Sequence, residues 1–243
     1  MEGVAAFTAW FISIYTIGYL FAFKKWPKKQ RGEASSCLIS LAHGTPALIL
    51  SMPSLLQSQS ELEFASPNTP FQNLVLDHSI AYFITDLLHY LILTPTDALF
   101  ILHHLATLYV LATCRFAFAH GAAAVLGILA LAEVTSSCQN VWSLARCRRG
   151  ESARAAALVE FLSPFFYGFY SVVRGIVGPL YVYRIGVLFG GSELGGVIPR
   201  WGWVSWIVVM AVGIGLSILW VLHLWLHLYS RSRRVKEEVN KLN

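Results

Sequence analysis

An all-α integral membrane protein of seven transmembrane helices is the fold this chain predicts, on its composition, its apolar runs and the alternation of positive charge between them. Of 243 residues, 56% are hydrophobic and 13% charged, and the mean hydropathy is +0.59. That leaves too little polar surface to coat a water-soluble globule of this size. Runs of about 20 apolar residues, the length that spans hydrocarbon, occupy 4–23, 37–56, 74–93, Ala98–Phe118, 121–142, 155–183 and 203–229.

The first run begins with Glu2 where a signal peptide would be basic, and its apolar core is long with no small-residue cleavage site behind it. It reads as a retained anchor, with 1–30 forming that anchor and a basic loop. Lys24, Lys25, Lys28, Lys29 and Arg31 follow it; Arg146, Arg148, Arg149 and Arg154 follow the fifth run; Arg231, Arg233, Arg234, Lys236 and Lys241 close the chain. The connections between are poor in such residues: 57–77 has none and carries Glu61, Glu63 and Asp77, and the turn at Gly190 and Gly191 has only Arg184 and Arg200 nearby. Positive charge stays on the cytoplasmic side, so the amino terminus is expected in a lumen and the tail, 232–243, in the cytosol. Topology thereby accounts for most of the net charge of +5; membrane lipids, not nucleic acid, are the expected partners. Cys37, Cys114, Cys138 and Cys147 show no paired spacing and read as free thiols.

An ionisable side chain in hydrocarbon costs at least about 2.5 kcal/mol, so chains that retain one usually use it. His103 and His104, in the middle of the fourth run, are the first candidates. Helical periodicity then gathers other polar groups into stripes that should face the bundle interior. The third run has Tyr82, Asp86 and His89; the fifth has Glu133, Ser137 and Asn140, with small residues at Ala119, Ala123 and Gly127 for close helix approach. The second has Ser40 and His43, the fourth His103 with Thr107. The sixth carries Glu160, Pro164, Tyr167, Ser171, Arg174 and Gly178, and Pro164 and Pro179 should bend it. Counted from the basic ends, His43, His89, His103, His104 and Glu133 all lie within about nine residues of the cytosolic face. Arg174 sits deeper, where it is expected to pair with Asp86 or Glu133 or to bind backbone carbonyls. His223 and His227 read as interfacial, and His78 and His120 carry no assigned role.

These residues resemble the TLC domain, a family shared by ceramide synthases, a translocon-associated protein and smaller lipid-homeostasis proteins. The resemblance rests on Ser40-x-x-His43, Tyr82-Phe-x-x-Asp86-Leu, His103-His104-x-x-Thr107, Ala132-Glu133-x-Thr135-Ser136 with Asn140, and Arg174 with Gly178-Pro179, in order over about 31–231. It implies a six-helix barrel around a lipid-sized cavity, with the first run as an added helix, and residence in the endoplasmic reticulum or another endomembrane. In the ceramide-synthase branch it implies acyl transfer from acyl-CoA to an amine through the paired histidines. Carried over, His103 or His104 would be nucleophile or general base, with Asp86 or Glu133 orienting the imidazole. His43, Tyr82, His89, Thr107, Asn140, Tyr167 and Arg174 would line the substrate site. Ceramide synthases continue with further carboxylates and a lysine; here 131–137 reads Leu-Ala-Glu-Val-Thr-Ser-Ser, which resembles the smaller TLC-domain proteins instead.

Three functional readings remain. The first is a lipid enzyme or degenerate relative using acyl-CoA, with no metal or cofactor. The second is a non-catalytic lipid-binding, scrambling or cargo-sorting protein, and the third a transporter lined by Asp86, Glu133 and Arg174. A di-iron oxygenase would need several more histidine boxes. Each polar residue also has a structural role open to it, since interhelical hydrogen bonds contribute about 0.6–2 kcal/mol. That role weighs most for Tyr82, Ser137, Asn140 and Tyr167. A homodimer stays open.

Overall fold

A computed structural model describes residues 2–56, 64–191 and 196–242; Glu61 and Glu63 fall outside the described residues, as does the side chain of His227. Seven helices account for nearly all of it: α1 (Glu2–Ala22), α2 (Lys28–Leu56), α3 (Pro70–Leu93), α4 (Ala98–Phe118), α5 (Ala122–Cys147), α6 (Ala153–Gly190) and α7 (Arg200–Leu242). Six are long and apolar enough to cross a membrane, and α3 is the one that falls short. Asp77, His78, Ser79, Asp86 and His89 dilute its apolar run, yet all five are buried. The helix that looks least like a membrane span is therefore, with α5, one of the two most enclosed by protein, which is where polar groups in a bilayer belong.

Several helices outrun their apolar segments, because hydropathy marks the hydrocarbon width and local chemistry marks the helix end. The start of α3 is set by Thr69, whose hydroxyl accepts from the Gln72 backbone N–H while the Gln72 side chain accepts from Thr69 N, with Pro70 at the first helical position. Within α6, the turn Val173–Val177 widens to π-helix directly before Gly178-Pro179. Pro179 has no N–H to offer the preceding turn, and the wider turn absorbs the mismatch.

Around the bundle α2, α3, α4, α7, α6 and α5 touch in that cyclic order, and α1 packs outside the ring against α2 and α3. This is the six-helix ring with an added N-terminal helix. Its tightest joint is α2 with α5, where small side chains let the backbones approach. Thr45 and Ser137 share a hydrogen bond of 3.1 Å there, and a Cβ on Gly44 would stand 2.6 Å from Glu133 Oε2. At the ring end away from Lys24 and Lys25, Asn68 ties the segment before α3 to the turn before α5. Its amide donates to Cys114 O at 2.9 Å and its carbonyl accepts from Ala122 N at 3.0 Å. That turn needs positive φ at Ala119 (54°) and Gly121 (85°), and Trp206 and Ile198 crowd the glycine. Beside it, Arg115 grips Asp77 with two bonds of 2.7 and 3.2 Å.

Two residues of the expected α6 stripe depart from it, Pro164, which is exposed, and Glu160. Glu160 does not face the interior: its side chain is 58% exposed and lies 3.6 Å from Arg149 at the helix end.

Candidate functional site: two histidine centres within the helix ring

The first centre joins α2, α3 and α4. His104 is buried, and both ring nitrogens are engaged: Nδ1 stands 2.8 Å from Phe100 O and Nε2 2.9 Å from Asp86 Oδ2. A carbonyl can only accept, so Nδ1 carries a proton. The second proton of the pair then lies on Nε2 or on Asp86, and the two side chains share it. Asp86 is held by Ser36, whose hydroxyl donates to Oδ1 at 2.6 Å, and more loosely by Tyr82, whose hydroxyl stands 3.4 Å from Oδ2. Ser36 and Tyr82 thus fix the carboxylate, and the carboxylate fixes the imidazole.

His103 behaves differently from its neighbour. It shares one face of α4 with Thr107, Val110 and Cys114, at steps of four, three and four, and that face points into the ring. Val110 and Cys114 are buried, whereas His103 is exposed, so the stripe is packed at one end and accessible at the other. α4 meets α7 towards the filled end, where Tyr109 bonds Ser205 and Trp206 donates to Thr113, each at 2.8 Å. The His103 ring makes no hydrogen bond among the described residues; it lies edge-on to His104 and Phe83. Arg174 comes within electrostatic reach of it. Among the described residues Thr107 bonds its own helix, at His103 O.

The second centre lies between α2, α3 and α5. His43 is fully buried, stacked on Tyr82 (centroids 4.1 Å apart, rings within 5° of parallel) and on His78 (5.3 Å). Its Nε2 meets Ser79 Oγ at 3.1 Å. Its Nδ1 is buried without a hydrogen-bond partner, 3.8 Å from Glu133 Oε1. That separation exceeds a direct bond, so the two side chains are neighbours without a hydrogen bond between them. Phe11 of α1 closes the stack from outside the ring.

Tyr82 joins the two centres, its ring on His43 and its hydroxyl towards Asp86. The other anticipated residues fall at varying distances from this core. Asn140 donates to Ser40 Oγ at 2.8 Å and helps lock α5 to α2. His89 Nδ1 meets the Tyr15 hydroxyl of α1 at 2.8 Å. Arg174 donates to Ala132 O at 3.0 Å, the carbonyl alternative, and lies over the Tyr170 ring. Tyr167 stands apart, wedged between Trp142 and Trp225 in a separate aromatic cluster of α5, α6 and α7.

Three participants escaped the sequence reading. Ser36 and Ser79 continue the stripes Ser40–His43 and Tyr82–Asp86–His89 by one step of four or three, a signal present in the spacing. His78 lies near the start of the third apolar run, and its burial comes from Phe7 and Phe11 of α1 packing over it. No group of residues able to hold a metal ion occurs among the described residues.

A family model described as the TLC domain matches residues 33–226. The chain is 49% identical over 237 residues to TLC domain-containing protein At5g14285 of Arabidopsis thaliana, covering 97% of this chain and 93% of that protein. No solved structure matches it.

Proposed function

This chain belongs to the TLC-domain family, and on that premise we propose that it is a lipid-handling multi-pass membrane protein whose reactive group is His103. The observation that carries the reading is the division between adjacent histidines. His104 has both nitrogens committed and cannot attack without abandoning Asp86 or Phe100 O, while His103 is exposed on the face that looks into the ring.

The reaction proposed is acyl transfer. A neutral His103 nitrogen attacks the thioester carbonyl of an acyl-CoA; the carbon–sulfur bond breaks, and the thiolate leaves and takes up the imidazole proton. A lipid amine or hydroxyl then attacks the acyl-imidazole, the carbon–nitrogen bond breaks, and the acceptor's proton returns to the ring. The His104–Asp86 pair holds its shared proton beside this site, and Arg174 supplies positive charge near the carbonyl oxygen as it becomes anionic. The amino terminus in a lumen and the basic ends in the cytosol, in an endomembrane, would let acyl-CoA reach the open end of the ring.

The test is intact-protein mass spectrometry after incubation with a long-chain acyl-CoA, together with lipid profiling of cells lacking the protein and rescued by variants. A fatty-acyl mass increment lost in His103→Ala, with failed rescue by that variant, is the expected result. Full rescue by His103→Ala would overturn the reading. A second reading, non-catalytic lipid holding, is favoured by the Asp86 network itself, in which the Ser36–Asp86 and Asp86–His104 bonds tie α2, α3 and α4 together. It predicts rescue by His103→Ala and failure of Asp86→Ala.

A further inference from the structure

The ring interior is not the only space a lipid could fill. On the outer side of the bundle, α1 and α3 part to leave an open cavity of about 400 Å³, lined by Ile12, Tyr15, Tyr19, Leu88, His89 and Ile92. Its walls are apolar, and the hydrogen bond between Tyr15 and His89 is its main polar feature. Ile12, Leu88 and Ile92 are 45%, 43% and 71% exposed, so the surface is available to a chain lying along it.

One end of this groove lies under positive charge. Arg31 places its guanidinium 5.2 Å from the centre of the Tyr19 ring and donates to Lys24 O at 2.6 Å. The wall residue Tyr19 and the Lys24 backbone are thus gathered at one arginine. Gly32 brings the start of α2 against the same place, since a Cβ there would meet Leu93 Cδ1 at 3.2 Å and His89 Cε1 at 3.4 Å. Lys24, Lys25 and Lys28 are exposed at this end. Of the acidic residues nearby, Glu33 accepts from the Cys147 thiol of α5 and stays within electrostatic reach of His89; with Asp97 of the α3–α4 turn, that sets two carboxylates against Arg31 and three exposed lysines.

From the juxtaposition of the α1–α3 groove with Lys24, Lys25 and Lys28, we infer a binding site for one anionic phospholipid, an acyl chain in the groove and the phosphate among the lysines. Charge complementarity selects the occupant: a groove of this kind accepts any acyl chain, but only an anionic headgroup is held by the amines above it. The site lies outside the ring and does not depend on the acyl-transfer reading.

The experiment is native mass spectrometry of the full chain released from nanodiscs containing equal amounts of phosphatidylglycerol and phosphatidylcholine. The expected result is one retained lipid, with phosphatidylglycerol favoured at least threefold. Leu88→Trp with Ile92→Trp should abolish retention, while Leu219→Trp on α7, also exposed and a control for the effect of an added indole, should leave it intact. Lys24→Gln, Lys25→Gln and Lys28→Gln together should keep a lipid but lose the headgroup preference. Equal retention of both lipids by the native chain, undiminished retention by the tryptophan pair, or an unchanged preference in the lysine triple would each overturn the inference. Thermal melting of every variant checks that the fold is retained.

Discussion

The two walls of the helix ring are held by different forces. Where α2, α3 and α5 meet, the joints are hydrogen bonds and buried charge: Ser36 to Asp86, His43 to Ser79, Asn140 to Ser40. Where α6 meets α7, they are rings: Trp220 against Phe166 and Tyr170, Trp225 against Tyr167. In a bilayer the hydrophobic effect does not press helices together, so packing and hydrogen bonding must. The difference teaches which wall sets register. A polar atom has a partner at one position only, so sliding α2 along α5 by a turn would break every bond at once. Aromatic faces repack with less loss, which leaves the α6–α7 wall as the one able to adjust around a guest.

The sharpest way to break this contrast is Asp86→Ala, which leaves His104 Nε2 and the Ser36 hydroxyl buried without partners. A loss of about 3–5 kcal/mol is expected on removing one member of a buried pair, measured by unfolding in detergent; a loss under 1 kcal/mol would deny the polar wall its role. Gly44→Ala comes next. Its new methyl would strike Glu133 Oε2, and overpacking of this kind costs about 1–3 kcal/mol. The double variant with Glu133→Ala should recover part of that loss in a thermal-shift assay, because the obstructing carboxylate is gone.

On the aromatic wall, Trp225→Phe keeps a ring but removes the donor to Ser171, 3.1 Å away. The expected cost is about 0.6–1.7 kcal/mol, the range for a single interhelical bond in a membrane; a drop as large as that of Asp86→Ala would erase the distinction between the walls. The smallest effect belongs to Glu160→Gln. The carboxylate is exposed and 3.6 Å from Arg149, so its removal should shift stability by less than about 0.5 kcal/mol. A larger shift would reinstate Glu160 in the interior stripe.

Much of the polar wall was legible in the sequence. The spacing of Tyr82, Asp86 and His89 fixed a shared face, and Ser40 with His43 did the same on α2, because a helix has one period. What spacing cannot supply is the partner across a helix joint. Asp86 had two plausible uses, orienting an imidazole or pairing with Arg174, and only the packing of α3 against α4 decides for His104. The same limit hid the difference between His103 and His104: adjacent residues on a helix diverge by about 100°, so one faces α3 and the other the ring interior. Tyr167 lies on a periodic stripe like the rest and still belongs to another cluster, since Trp142 and Trp225, from the helices before and after α6, pack around it.

The joint of α2 with α5, which closes the ring, has a consequence for how the chain is made. Ser40 and Asn140 are 100 residues apart, and at about 5–20 residues per second synthesis of that interval takes roughly 5–20 s. Throughout that wait α2 has left the ribosome with Ser40 and Thr45, whose mates on α5 do not yet exist, and a helix so furnished is a poor candidate for release into lipid alone. Biogenesis of this protein therefore calls for α2 to be sheltered, by the insertion machinery or by α1 and α3, until the fifth helix arrives to complete it.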